Sequence, residues 1–118
     1  EYIAAFNRDD FEGFGRFYTD DVIFEGRAGQ FSKRADVLNF YRKVKSRIRE
    51  TLVIHDLILG EQDNVADLET QLHGLVDWPD FPTGPIRKDE TRRSQNFIWY
   101  EVRDGKFVRI RSAHYRKL

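Results

Sequence analysis

The last apolar segment of the chain carries a histidine whose position suits proton transfer. Alternate residues of a strand share one face, and one face of this segment holds Val108, Ile110, Ser112 and His114. A histidine at the inner end of such a strand titrates near neutral pH, so it can move protons to or from a small polar substrate. His114 is therefore our first acid–base candidate, with a hydrogen-bonded structural histidine as the alternative.

The other two histidines fit structural roles better. His73 shares its predicted face with acidic and amide side chains, a pattern typical of a solvated or subunit-facing surface. His55 lies inside a β-rich run with no catalytic motif around it. We interpret both as structural.

Glu25 is the second candidate for acid–base chemistry. It follows a short β-rich run and precedes Gly26 and Arg27, so it serves either as a base at a pocket rim or as a salt-bridge partner at a loop end. The acidic pairs Asp9-Asp10 and Asp20-Asp21 fall where helix caps and turns need them. No HExxH, EF-hand or phosphate-cradling spacing occurs, so we expect no metal site.

Aromatic side chains are frequent enough to build both a core and the wall of a ligand site. Ten Phe residues contribute most of the 14% aromatic content. We expect most of these side chains to form the core, and those at the open end of the fold to line a ligand pocket as well. Its predicted aromatic members are Phe6, Phe14, Phe17, Phe97 and Trp99.

The composition limits the classes of protein that the chain can represent. Its 118 residues suit one domain, and 20 basic and 20 acidic residues cancel, so no net charge attracts nucleic acid or an anionic membrane. The absence of cysteine excludes disulfides and thiolate chemistry. No apolar run has the length of a membrane span, and a cytoplasmic location is our default expectation. Because the chain begins within a helical pattern, we expect that residues precede Glu1.

Three helices are expected in the first half of the chain. Residues 1–7 read as the end of an amphipathic helix, and Asp9 and Asp10 offer N-caps to a short second helix with aromatic residues at helical spacing. Residues 22–25 read as a first strand, followed by a loop to about Ser32. Apolar residues at helical spacing predict a long helix over 34–50. Its many basic side chains indicate a solvated face, with a patch for an acidic partner as the alternative.

The pattern of apolar residues in the second half of the chain predicts four long strands in a meander. They cover residues 51–59, 65–78, 91–102 and 106–116. Asp104-Gly105 signals a two-residue hairpin, and the prolines of 79–90 predict an irregular loop. Helices gathered before such strands indicate an α+β fold, in which a curved antiparallel sheet wraps around the helices as a cone with an apolar interior.

The order of elements and several short motifs resemble the nuclear transport factor 2-like superfamily, with its cystatin-like fold, and in particular its SnoaL-like and ketosteroid-isomerase-like members. The matching segments are residues 2–10, 17–24, 82–85 and 104–108, so the resemblance spans residues 1–118 as a single SnoaL-like domain. The resemblance implies a cofactor-independent protein that holds a small apolar molecule in an internal pocket.

Individual residues match the family's active sites unevenly. Tyr2 stands where ketosteroid isomerases keep the tyrosine that donates a hydrogen bond to the oxyanion, and Gln95 aligns with their second donor. Gly26 replaces their general-base aspartate, which excludes a literal ketosteroid isomerase. His114 and Tyr115 are the nearest matches to the acidic residue of SnoaL-like cyclases.

Two functions remain open from the sequence. The first is an enzyme that isomerises, dehydrates or cyclises an apolar carbonyl compound, with His114 as acid–base and Tyr2 and Gln95 as donors. The second is a non-catalytic module that binds a hydrophobic ligand or dimerises.

Strand alternation predicts which side chains face the pocket. Since paired strands share an inner face, we expect Gln95, Phe97 and Trp99 to face the same cavity as Ile110, Ser112 and His114. The opposite face would then expose Ile98, Tyr100 and Val102. Because nothing later in the chain covers them, we expect a homodimer packed sheet to sheet, and no nucleic-acid or membrane partner.

Overall fold

The computed structural model describes residues 1–118 as three helices and one six-stranded sheet. The helices are α1 (Tyr2–Asn7), α2 (Phe11–Gly15) and α3 (Arg34–Arg47). The strands are β1 (Tyr18–Gly26), β2 (Gly29–Phe31), β3 (Ile48–Leu59), β4 (Asp63–Gly74), β5 (Thr91–Arg103) and β6 (Lys106–Lys117). The predicted α+β class with a curved sheet and early helices is confirmed.

The sheet has the order β2-β1-β6-β5-β4-β3. All neighbouring strands are antiparallel except β1 and β6, which run parallel. The all-antiparallel sheet expected from the sequence is therefore wrong for this one pair. The parallel pair brings the first long strand against the last one, so the helices that flank β1 are placed over the inner face of the meander.

Local sequence explains where the helices begin. The side chain of Asp10 caps α2 by accepting a hydrogen bond from the backbone N–H of Gly13 at 2.9 Å. In α3, Val37, Tyr41 and Val44 recur at helical spacing and are buried against the sheet. The predicted hairpin at Asp104-Gly105 is present, with positive φ at both residues, as this tight turn requires.

Two boundaries differ from the sequence predictions. Helix α3 ends at Arg47, and residues 48–50 begin β3 instead of completing the helix. The loop expected after β1 contains the short strand β2, which pairs with β1 around the turn at Arg27 and Ala28. The first boundary matters for function because it converts Glu50 from a helix residue into a strand residue.

The main core lies between the helices and the inner face of the sheet. Its fully buried members include Phe6, Phe14, Tyr18, Val22 and Leu68. A smaller cluster joins the end of α3 to the loop after β4, where Trp78, Phe81 and Ile86 pack on Val44 and Ile48.

None of the helices has the length and apolar character that a membrane span requires.

Candidate functional site

A cavity of about 140 Å³ lies between the helices and the inner face of the sheet. On the helix side its wall is formed by Tyr2, Phe6, Phe40, Tyr41 and Val44. On the sheet side the apolar wall is formed by Phe24, Leu52, Leu72, Ile98, Tyr100 and Ile110. Its volume is similar to that of a cavity that holds one benzene ring.

Glu50 places the only carboxyl group of the cavity wall inside this apolar space. In β3 it shares the inner face with Ile48 and Leu52, both buried. Burial raises the pKa of Glu50 to about 7. The positive charge of Lys45 lowers this pKa by a smaller amount, and the negative charge of Asp9 raises it further. The group therefore exists in both protonation states near neutral pH, as an acid–base catalyst must.

A buried ammonium group fixes the backbone that carries Glu50. The Nζ atom of Lys45 donates to the carbonyl of Phe6 at 2.7 Å, to the carbonyl of Glu50 at 3.1 Å and to Oδ1 of Asp9 at 2.6 Å. It also lies 3.9 Å from the centre of the Phe6 ring. Lys45 thus joins the end of α1, the last turn of α3 and the start of β3.

Buried tyrosines supply the hydroxyl groups near the inner end of the cavity. Burial raises the pKa values of Tyr2, Tyr18, Tyr41 and Tyr100, so all four stay protonated at neutral pH. The hydroxyls of Tyr2 and Tyr18 are 2.6 Å apart. Either hydroxyl can donate in this hydrogen bond, and the Tyr2 proton is available to a ligand in the arrangement in which Tyr18 donates.

Four residues proposed from the sequence line the cavity. They are Tyr2, Phe6, Ile110 and Ser112. Two other proposed residues lie outside the cavity lining. Phe14 is fully buried, and Phe17 packs its ring against Tyr2 and Phe107.

The inward face predicted for β5 is the opposite of the observed one: the residues expected to face the cavity point outward. Phe97 and Trp99 are 40% and 44% exposed, and the amide of Gln95 is bound to Asp67 and Arg116 on the outer face. Their neighbours instead face the interior, namely Asn96, Ile98, Tyr100 and Val102.

The cause of this error is a β-bulge beside the hairpin. Val102 pairs with Phe107 but Glu101 pairs with Arg109, so Val108 is an extra residue in β6. A shift of one residue reverses which face each partner occupies. Trp99 is consequently opposite Arg111, and Tyr100 is opposite Ile110.

His114 and Glu25 also lie outside the cavity. His114 is opposite the lining residue Asn96 and on the same face of β6 as Ser112, but it is exposed and does not line the cavity, so the predicted contact of His114 with the cavity is wrong. Glu25 binds Arg109 at 2.6 Å, which corresponds to the salt-bridge alternative. Neither residue is placed to act on a molecule inside the cavity.

The remaining histidines contact carboxylates outside the cavity. His55 contacts Glu69 at 3.0 Å, and His73 contacts Asp89 at 3.3 Å. Arg93 and Gln71 complete the group around Glu69 on the outer face of β4. No three His, Asp or Glu side chains are grouped to hold a metal ion.

Glu50 was missed because the helical pattern was extended to residue 50. Read as a strand, the segment from Ile48 to Leu52 alternates apolar and polar positions, and Glu50 falls on the apolar side. An acidic residue at an inward strand position was therefore the signal available in the sequence.

The comparisons with known proteins agree with the observed fold. A family model described as SnoaL-like domain matches residues 1–110. A candidate polyketide cyclase from Pseudomonas putida has a TM-score of 0.83 at 21% identity, covering 98% of this chain and 86% of its own. No match was found among curated proteins.

Two further solved structures have the same shape with different described activities. A candidate polyketide cyclase from Xanthomonas campestris has a TM-score of 0.79 at 21% identity, covering 94% of this chain and 82% of its own. An LEH-like epoxide hydrolase from M. tuberculosis has a TM-score of 0.77 at 15% identity, covering 97% and 77%. At identities this low, the structural similarity shows a common fold alone, and the chemistry has to be argued from the residues of each chain.

Proposed function

This chain belongs to the SnoaL-like domain family, and from that premise we propose that it is a small-molecule enzyme that moves a proton within an apolar carbonyl compound. The reaction is an isomerisation, dehydration or cyclisation that needs no cofactor. The observation that carries the proposal is Glu50, a carboxyl group with a pKa of about 7 in the wall of an apolar cavity.

Glu50 acts as the base in the first step. Its carboxylate takes a proton from the carbon next to a carbonyl group, and the electron pair of the broken C–H bond forms an enolate. The hydroxyl of Tyr2 donates a hydrogen bond to the enolate oxygen, where negative charge develops. Protonated Glu50 then returns the proton to another carbon, or gives it to a leaving hydroxyl group.

The apolar wall supports this chemistry in three ways. It excludes water from the charged intermediate, and it strengthens the hydrogen bond from Tyr2 because the local dielectric constant is low. By raising the pKa of Glu50 to about 7, burial in this wall also makes the acid form available beside the base form near neutral pH.

Turnover of enolisable ketones that carry one ring tests the proposal. We expect the deprotonation rate to rise with pH around 7, as Glu50 ionises. Glu50→Gln should lower kcat by about 10²- to 10⁴-fold, and Tyr2→Phe by about 10²-fold. Glu61→Gln, a matched change of an exposed glutamate, should leave turnover unchanged.

The alternative is the non-catalytic binding module. Thermal stabilisation by the same ketones, without proton exchange at the carbon next to the carbonyl, would favour that function. Equal rates for Glu50→Gln and the unaltered protein would contradict the acid–base assignment.

A further inference from the structure

The cavity has one positively charged side chain, and it lies at the rim. Arg27, in the turn between β1 and β2, is the only cationic residue and the only exposed residue among those that line the cavity. None of the chain's ion pairs includes Arg27. The nearest carboxylate in sequence, Glu25, is held by Arg109. The guanidinium of Arg27 is therefore free to bind a ligand.

A hydroxyl group lies next to this turn. The Oγ atom of Ser112 is 3.2 Å from the point where a Cβ atom of residue 26 would be, so the glycine lets the hydroxyl of Ser112 pack closely against the turn. Ser112 also lines the cavity. A ligand oxygen at the rim can thus meet both a guanidinium and a hydroxyl donor.

The adjacent wall also presents donors. The Nδ2 atom of Asn96 donates to Oγ1 of Thr70 at 3.0 Å and to Oγ of Ser94 at 3.1 Å. Because both hydroxyl oxygens accept from Asn96, their own hydrogens remain for acceptors in the cavity. Apart from Glu50, no acidic residue lines the cavity, so a ligand rich in acceptor oxygens finds complementary groups there.

We propose that the ligand is an apolar carboxylic acid, with its ring in the cavity and its carboxylate bound at the rim by Arg27 and Ser112. The cavity volume of about 140 Å³ admits a single ring. The binding part of this proposal stands on the rim residues alone. Only its extension to substrates rests on the proposed function, since a substrate acid would carry a ketone as well as the carboxylate at the rim and would present the carbon next to that ketone to Glu50.

Calorimetric titration with three acids and their neutral amides tests the proposal. The acids are benzoate, phenylacetate and 3-phenylpropanoate, which place the carboxylate at increasing distance from the ring. We expect at least one acid to bind roughly five- to tenfold more tightly than its own amide, with the preference weakening in high salt.

Variants identify the group responsible. Arg27→Ala should abolish the preference for the acid and leave amide affinity within about twofold, because an exposed turn residue contributes little to folding. Arg16→Ala is the matched control, since Arg16 is also exposed and unpaired but lies away from the cavity. Ser112→Ala should reduce the preference without abolishing it.

Three results would overturn the proposal. They are amides that bind as tightly as the acids, an acid preference that survives Arg27→Ala, and no binding of any of the acids at millimolar concentration. Glu50→Gln separates this proposal from the proposed function. This variant should keep or increase the affinity for the acids, because it removes a negative charge that repels their carboxylate. Failure of the proposed function would appear in a different measurement, as turnover that Glu50→Gln leaves unchanged.

Discussion

Glu50 and Glu69 are carboxyl groups whose surroundings shift their pKa values in opposite directions. Burial raises the pKa of Glu50 to about 7. Hydrogen bonds from Arg93, Gln71 and His55 lower the pKa of Glu69 to about 2. The first shift supports proton transfer in the cavity, whereas the second belongs to an ion cluster on the outer face of the sheet, in which Arg93 and His55 are partly exposed. Their effects on stability should therefore have opposite dependence on pH.

Glu50 should make the folded protein less stable as pH rises. Its raised pKa contributes stability that is fully present below the unfolded value of about 4.5 and is lost as pH increases to about 7. Glu50→Gln removes this loss. Between pH 4.5 and pH 8, urea unfolding should show the variant gaining up to about 3 kcal/mol relative to the unaltered protein. A constant difference across this range would contradict the raised pKa.

Glu69 should give the reverse dependence. Its lowered pKa contributes stability above about pH 4.5 that is lost as pH falls towards 2. Glu69→Gln should lower the melting temperature at pH 7 by several degrees, and this deficit should shrink as the pH is lowered. Thermal melts from pH 2 to pH 7 measure the effect, and a deficit that stays the same at pH 2 would be inconsistent with the ion cluster.

At the scale of elements, the junction between α3 and β3 decides how Glu50 is positioned. Lys45 in the last turns of α3 holds backbone carbonyls of α1 and β3 and is itself buried. Lys45→Met leaves these carbonyls without their donor. We expect a loss of about 2–4 kcal/mol in the free energy of unfolding, measured by urea titration.

The same junction should set the pH profile of the reaction. Lys45 lowers the pKa of Glu50 and Asp9 raises it, so Lys45→Met should move the profile to higher pH and Asp9→Asn to lower pH. A merely structural role for Lys45 predicts loss of stability with no such pair of opposite shifts. Rates measured from pH 5 to pH 9 distinguish the two.

The elements themselves were largely predictable, and the faces of the strands were not. Helical spacing in α3 and the Asp104-Gly105 turn are local signals, so their positions follow from neighbouring residues. The bulge at Val108 has no comparable local signal, because it depends on how β5 and β6 fit together across the sheet. The bulge reversed the predicted face of Trp99, and the extension of the predicted helix to residue 50 concealed Glu50.

At the scale of the whole molecule, the outer face of the sheet exposes aromatic residues. Phe97 and Tyr115 pack with ring centres 4.9 Å apart, and the guanidinium of Arg111 lies 5.0 Å from the centre of the Trp99 ring. Ile98, Tyr100 and Val102, the residues predicted for this face, point inward instead. The apolar character of the face is nevertheless retained, through different residues.

We expect a homodimer that buries these aromatic side chains. Exposed aromatic clusters of this kind are typical of protein interfaces. Trp99→Glu should convert the dimer to a monomer in sedimentation analysis, while Val76→Glu, at an exposed apolar residue of the loop after β4, should not. A monomeric unaltered protein at micromolar concentration would contradict the expectation.

The parallel contact between β1 and β6 has a consequence for how the chain folds during synthesis. The backbone N–H of Phe107 donates to the carbonyl of Phe17, and Phe24 is aligned with Ile110, 86 positions later in the sequence. Both residues of the latter pair line the cavity. The ribosome must therefore release β6 before the cavity can close, and such distant contacts slow the search for the native topology. Until then, the core residues of the helices lack the part of their cover that β6 supplies, which leaves apolar surface exposed on the nascent chain.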